Sequence, residues 1–91
     1  MAKPAWRVEF DRAAVRDLRK LGSEAERVIL RYLRERIAGA EDPRRSGHAL
    51  TGDLKGLWRY RVGDYRIVAQ IEDDRFVVLV VTIGHRREVY R

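Results

Sequence analysis

Three arginines, Arg59, Arg61 and Arg66, stand in the stretch 56–68, read G-L-W-R-Y-R-V-G-D-Y-R-I-V, where they alternate with aromatic and aliphatic residues around a Gly63-Asp64 pair. Alternation with a period of two gives a β-hairpin one apolar and one cationic face. A two-residue turn with glycine first fits type II′, which sets Val62 opposite Tyr65, Arg61 opposite Arg66 and Tyr60 opposite Ile67. Like charges directly opposite one another destabilise a ladder by roughly 0.2–1 kcal/mol. Folding alone gives no reason to place Arg61 and Arg66 there; an anion bound between them does.

A second group of reactive side chains follows the last strand-like run: Gly84-His85-Arg86-Arg87 and then Tyr90. In the hairpin register this tail emerges near the Gly63-Asp64 turn, so His85, Arg86 and Tyr90 come to the same end of the sheet as the arginines. Cleavage of an RNA phosphodiester needs such parts. Guanidinium groups stabilise charge on a phosphorane-like transition state, a proton acceptor serves the attacking 2′-hydroxyl, a donor serves the leaving 5′-oxygen, and a ring stacks a splayed base. His48 and His85 are the two histidines, no cysteine is present, and no carboxylate set surrounds the histidines in sequence. A metal centre is therefore not expected. Bland readings stand beside these: Arg59 and Arg61 as solvent-facing strand residues, His85 as a loop residue, Tyr90 as a packing ring. Arg44, Arg45 and Lys55 read as a solvated or phosphate-steering patch.

The elements that must hold these groups follow from patterning. Residues 6–10 alternate weakly and read as a short first strand. From Asp11, which can cap, Ala14, Val15, Leu18 and Leu21 recur on one helical face while Arg12, Arg16, Arg19 and Lys20 point away, and Gly22 reads as the stop. Ser23 with Glu26 has the form of a capping box opening a second helix, whose Ala25, Val28, Ile29, Tyr32, Leu33 and Ile37 form a stripe. So short a link predicts two antiparallel helices. A connecting loop without periodicity covers 40–52, and three strand-like runs follow at 57–62, 65–72 and 75–83.

The last two runs meet at Asp73-Asp74, read as a second two-residue turn. That turn would set Glu72 opposite Arg75, Ala69 opposite Val78 and Ile67 opposite Val80. The face expected under the helices is Trp58, Tyr60, Tyr65, Ile67, Ala69, Ile71, Phe76, Val78 and Val80. Arg59, Arg61, Arg66, Val68, Gln70, Val77, Leu79, Val81 and Ile83 fall on the other. A third strand apolar on both sides calls for a cover on its second face, from this chain or from a partner.

Ninety-one residues with 20 Lys+Arg against 14 Asp+Glu, net +6, describe one small basic domain spanning 1–91, for which a polyanionic partner is the first idea. No run approaches the roughly 18 apolar residues of a membrane span, so a cytoplasmic protein is favoured over a membrane one.

The order strand, two helices, loop, three strands, together with L-T-G-D-L-K-G-L-W-R-Y-R-V-G-D-Y-R-I-V and I-G-H-R-R-E-V-Y, resembles the RelE branch of the RelE/ParE toxin superfamily. The resemblance implies an α+β fold with two antiparallel helices on one face of an antiparallel meander (β-α-α-β-β-β). It also implies the toxin of a type II toxin-antitoxin pair: an endoribonuclease without cofactor or metal that cuts mRNA in the ribosomal A site, beside 16S rRNA, by 2′-hydroxyl attack. A cognate antitoxin silences it, and operator DNA is met only through the antitoxin complex. By position, Arg66 matches the family's phosphate-contacting arginine, Arg86 the arginine that assists the transition state or leaving group, and Tyr90 the substrate-orienting tyrosine. Arg59 and Arg61 stand where the best-studied branch carries lysines, one of them a proposed general base. Guanidinium is a poor base. His85, whose imidazole is the kind of side chain that can accept a proton, is the candidate that replaces it. The catalytic set is thus Arg61, Arg66, His85, Arg86 and Tyr90, with Arg59, Arg44, Arg45, Lys55 and Arg87 binding substrate. Two other readings are a ParE-like inhibitor of DNA gyrase and a non-catalytic homologue acting only in an antitoxin complex.

Overall fold

A computed structural model describes residues 5–85. The chain runs β1 (Arg7–Phe10), α1 (Arg12–Leu21), α2 (Ser23–Tyr32) continued by a π-helical turn (Leu33–Ile37), β2 (His48–Ala49), β3 (Trp58–Val62), β4 (Tyr65–Glu72) and β5 (Val77–His85). Short 3-10 turns occupy Pro43–Ser46 and Gly52–Leu54. The strands form one five-stranded sheet in the order β1-β5-β4-β3-β2. β1 lies parallel to β5, and every other pair is antiparallel. The α+β class and the helix-covered meander hold, with β1 at one edge and β2, absent from the sequence reading, at the other.

The helices form for the expected reasons, with two corrections. Asp11 accepts a hydrogen bond from the Arg12 amide at 2.8 Å, Ala14 and Leu18 are buried, and Arg19 and Lys20 complement the dipole at the end of α1. Gly22 adopts φ +95°, closed to most side chains, and serves both as the stop of α1 and the cap of α2. Ser23 is thereby already helical, so the expected Ser23–Glu26 capping box is not made and the Glu26 amide donates instead to the Gly22 carbonyl at 3.0 Å. Val28, expected in the buried stripe, is 44% exposed, whereas Ala25, Ile29, Leu33 and Ile37 are buried. The widened last turn, closed by the Ala38 amide on the Leu33 carbonyl at 2.8 Å, keeps Leu33 and Ile37 on the core side.

Tyr60, Ile67, Ala69, Val78 and Val80 join Ala14, Leu18, Ile29, Leu33 and Ile37 in the core, and Trp58, Tyr65, Ile71 and Phe76 pack against it. The face expected under the helices is the face found there. The register between β4 and β5 is different, however: Ala69 pairs with Val80 and Glu72 with Val77. The connection is longer than the two-residue turn expected at Asp73-Asp74. Phe76 stands at φ +53° with its ring 5.3 Å from Trp6, and Arg75 reaches back to Glu72 at 2.9 Å and to Glu9 at 3.4 Å. Because this slip is an even number of residues, the faces survive it.

A β-bulge then changes the outcome. Val68 pairs with Thr82 while Ala69 pairs with Val80, so Val81 is the extra residue and every side chain beyond it changes sides. Ile83, expected on the open face, is buried in the core opposite Ile67. Beyond the end of β1, Asp17 of α1 takes the Ile83 amide at 3.0 Å and the Thr82 hydroxyl at 2.8 Å, tying helix to strand. On the open face Val68 of β4 and Val77 of β5 are 1% and 0% exposed while Leu79 of β5 stays partly exposed, so the cover expected for the second side of β5 is met at Val77.

Candidate functional site

The hairpin forms as its pattern requires. Gly63 has φ +58° and Asp64 does not have positive φ, the signature of a type II′ turn. Arg61 pairs with Arg66, Val62 with Tyr65 and Tyr60 with Ile67. Arg66 is therefore flanked on the open face by a second cation and, on the β5 side, by Gly84, which has no side chain to offer. Its Nε and Nη1 are inaccessible and, among the described residues, meet no hydrogen-bond partner. Leaving such donors unmet costs on the order of 1–3 kcal/mol, more for a charged group. Neither Arg61 nor Arg66 makes an ion pair among the described residues. An anion laid against the exposed Arg61 and the accessible part of Arg66 would answer this charge through charge-assisted bonds, roughly twice as strong as neutral ones.

The other expected site residues divide. Arg59 lies on the same face, opposite Val68 on one side and His48 on the other. Arg44 is held away from this group by a bidentate pair with Asp73 at 2.9 and 2.7 Å, with its guanidinium 6.0 Å from the Trp58 ring. The Asp73 hydrogen bond raises the Arg44 pKa, and the Arg44 hydrogen bond lowers that of Asp73. Arg45 and Lys55 are exposed on the loop segments flanking β2. His85 pairs with Tyr65, their rings edge to face at 6.1 Å. It reaches the expected end of the sheet, but the Val81 bulge puts it on the face opposite the arginines. Arg86, Arg87 and Tyr90 lie outside the described residues.

His48 is the residue sequence reasoning missed. Its register partner is Arg59, so it stands on the arginine face. A two-residue strand carries no periodicity, and the signal that places it is tertiary. The preceding loop is pinned at several points: the Tyr60 hydroxyl donates to the buried Pro43 carbonyl at 2.7 Å, the Tyr32 hydroxyl to the Ser46 carbonyl at 3.4 Å, and Asp42 caps Arg44 at 3.0 Å. Burial pushes the Tyr60 phenol well above its ordinary pKa, so it stays a donor.

Among the described residues, the two widest concavities given by the fold lie elsewhere. One groove of about 840 Å³ runs between the basic row Arg12, Arg16, Arg19 of α1 and Leu79, and another of about 850 Å³ lies beside Trp6 and Phe76. Neither is lined by Arg59, Arg61 or Arg66. An open cationic sheet face suits a polymer laid across it better than a small molecule enclosed by it.

Known proteins similar to this chain in sequence and shape include toxins of toxin-antitoxin pairs. Residues 8–90 match the family model described as ParE toxin of type II toxin-antitoxin system, parDE. The mRNA interferase toxin RelE of Escherichia coli is 34% identical over 90 residues, covering 94% of this chain and 90% of the relative. Toxin RelG of Mycobacterium tuberculosis is 29% identical over 86 residues, covering 94% and 97%. Among solved structures, the toxin-antitoxin complex RelBE2 from Mycobacterium tuberculosis superposes with a TM-score of 0.82 at 28% identity over 91% of this chain and 100% of that one. Escherichia coli RelE bound to an antitoxin peptide gives 0.69 at 29% identity, over 90% and 84%. The matched region takes in β1, the helices, the arginine hairpin and β5 alike, and on that ground this chain belongs to the RelE/ParE superfamily as a toxin of the type II toxin-antitoxin class.

Proposed function

We propose that this toxin is an mRNA interferase: a ribosome-dependent endoribonuclease that cleaves mRNA in the A site by attack of a 2′-hydroxyl on the adjacent phosphate, and that a cognate antitoxin holds it inactive. The observation that carries the reading is the direct pairing of Arg66 with Arg61, neither of which has an ion-pair partner among the described residues. Two guanidinium groups carried on directly opposed strand positions, with no ion pair among the described residues, would stabilise the extra negative charge of a phosphorane-like transition state more than that of the ground-state diester, which is the condition for catalysis. Arg59 extends the cationic face along the substrate backbone, and Arg45, Lys55 and Arg87 steer RNA toward it. Arg44, already engaged by Asp73, has a structural part. Arg86 and Tyr90 take from the family resemblance the roles of leaving-group assistance and base stacking. The similarity to the interferase RelE and to toxins solved with their antitoxins supports both halves of the reading.

The test is induction of the wild type and of Arg66→Ala in cells, with genome-wide mapping of mRNA 5′ ends and a supercoiling assay in parallel. Codon-phased cleavage lost in Arg66→Ala supports the nuclease; cleavage that persists in Arg66→Ala sinks this site. The matched family model is that of ParE, which keeps the gyrase reading as the alternative. Growth arrest with intact mRNA and inhibited supercoiling would establish it. Neither arrest nor cleavage would leave a non-catalytic homologue.

A further inference from the structure

The arginine pair leans on a strand that outruns its neighbour. β1 covers β5 only from Val77 to Val80, so among the described residues the stretch from Val81 to His85 has β4 on one side and no strand on the other. That stretch carries the Val81 bulge and ends beside Arg66 and Tyr65. Such a segment frays and slips easily, because the backbone groups on its open side have only water to bond. We propose that Asp17 of α1 is a positioning residue of the phosphate site, locking the register that sets Gly84 beside Arg66.

The alternative register shows what is at stake. Before the bulge Gln70 pairs with Leu79 and Ala69 with Val80; after it Val68 pairs with Thr82, Ile67 with Ile83 and Arg66 with Gly84. Without the bulge the first series would continue, setting Val68 opposite Val81, Ile67 opposite Thr82 and Arg66 opposite Ile83. A slip of one residue turns every side chain to the other face. Ile83 would leave the core and stand against Arg66 on the face an anion must reach, and Thr82 would turn its hydroxyl into the core. In the observed register the residue opposite Arg66 is glycine, and the face carries no side chain at that point.

Two things hold the observed register. One is the burial of Ile83, which is 3% exposed. The other is Asp17, whose Oδ2 accepts the Thr82 hydroxyl at 2.8 Å and the Ile83 amide at 3.0 Å. These two donors directly follow the bulge, and hydrogen bonds to a carboxylate are roughly twice as strong as neutral ones. The acceptor cannot follow the strand as it slips, because Ala14 and Leu18 anchor α1 in the core on either side of Asp17.

The need for such a lock comes from the arginines. Arg61 and Arg66 stand directly opposite and repel. Cations aimed at a transition state must be held in place before its charge develops. The role rests on the nuclease reading. Asp17 touches no substrate and acts through the placement of Gly84 beside Arg66.

The experiment compares the wild type with Asp17→Asn, Asp17→Ala, Thr82→Val, Arg66→Ala and the double variant Asp17→Ala with Arg66→Ala. It measures single-turnover cleavage of A-site mRNA on programmed ribosomes, the toxin concentration giving half the maximal rate, and melting with and without sulfate. NMR follows the cross-strand Hα contact between Ile67 and Ile83. Asp17→Ala should slow cleavage about 10²-fold, the cost of misplacing a catalytic group by about 1 Å, with the half-saturating concentration unchanged. Its Ile67–Ile83 contact should weaken in favour of Ile67–Thr82. Asp17→Asn, which keeps an acceptor oxygen, and Thr82→Val, which keeps the Ile83 bond, should lose less; where Asp17→Ala does not fold, Asp17→Asn carries the same comparisons. In the Arg66→Ala background the Asp17 substitution should slow cleavage no further, which a general loss of stability would not produce. Losses that multiply in the double variant overturn the role, as does a wild-type rate in Asp17→Ala or a loss confined to half-saturation. A folded wild type that cleaves nothing on ribosomes overturns the nuclease reading, and the sulfate arm then decides on Asp17 alone. A sulfate-induced rise in melting temperature that is smaller in Asp17→Ala than in the wild type supports the role, and an equal rise overturns it.

Discussion

Arg44, on the 3-10 turn before β2, and Arg66, on β4, are the same residue type in two regions of one molecule, and they have opposite fates. Arg44 bridges the loop before β2 to the β4–β5 connection through a bidentate carboxylate, and its charge is answered. Arg66 stands directly opposite another arginine with two inaccessible donors unmet, and among the described residues its charge is not. A fold selected only for stability would do the first and avoid the second. The contrast separates a cation that holds the protein together from one that waits for something outside it, a separation that composition and net charge could not make.

The comparison can be broken most directly at Arg66. Arg66→Ala should lower cleavage by about 10²–10³-fold, the cost of removing one preorganised donor from a developing oxyanion. It should leave the melting temperature unchanged or higher, because it removes unmet donors and a like-charge pair. A large loss of stability in that variant would mean Arg66 is an internal strut after all. A ligand test sharpens the same point: sulfate should raise the melting temperature of the wild type, as any anion bound only by the folded state must, and should do so less in Arg66→Ala.

On the answered side the effects fall on stability. Tyr60→Phe strands the buried Pro43 carbonyl and should cost about 1–3 kcal/mol in urea unfolding. The pH dependence follows from the raised phenol. Its contribution is complete below the ordinary tyrosine pKa of about 10 and is lost as pH rises past that value, so the wild type should weaken in alkali more than Tyr60→Phe, in which the raised phenol of Tyr32 remains. The smallest effect belongs to Asp73→Asn. The pair is exposed and screened, so about 0.2–1 kcal/mol is expected, with cleavage unchanged. Since Arg44 lowers the Asp73 pKa, that increment is present above the ordinary carboxylate pKa of about 3.9 and disappears as pH falls below it, which acid melts of the two proteins would read.

Much of the fold was legible because its signals are local. The helical spacing of Ala14 and Leu18, the Gly22 stop and the alternation around Gly63-Asp64 each depend on a few neighbouring residues, and each predicted the element that forms. Two errors came from local rules that a neighbour overrode: Gly22 had already taken the cap that Ser23 was expected to supply, and the Asp73-Asp74 turn grew to hold Phe76 against Trp6. The core face survived the second error only because the slip was even.

The sequence by itself determined the arginine hairpin, the pairing of Arg61 with Arg66 and the family to which those residues point, since a period of two and a tight turn leave one register. Tertiary structure alone decided which histidine joins them. A single bulge at Val81 carries His85 to the other face, and the close approach of Gly47 to β3 brings in His48 from a stretch that has no pattern. Both events depend on contacts between residues distant in the chain, and periodicity, which reports only on neighbours, does not contain them.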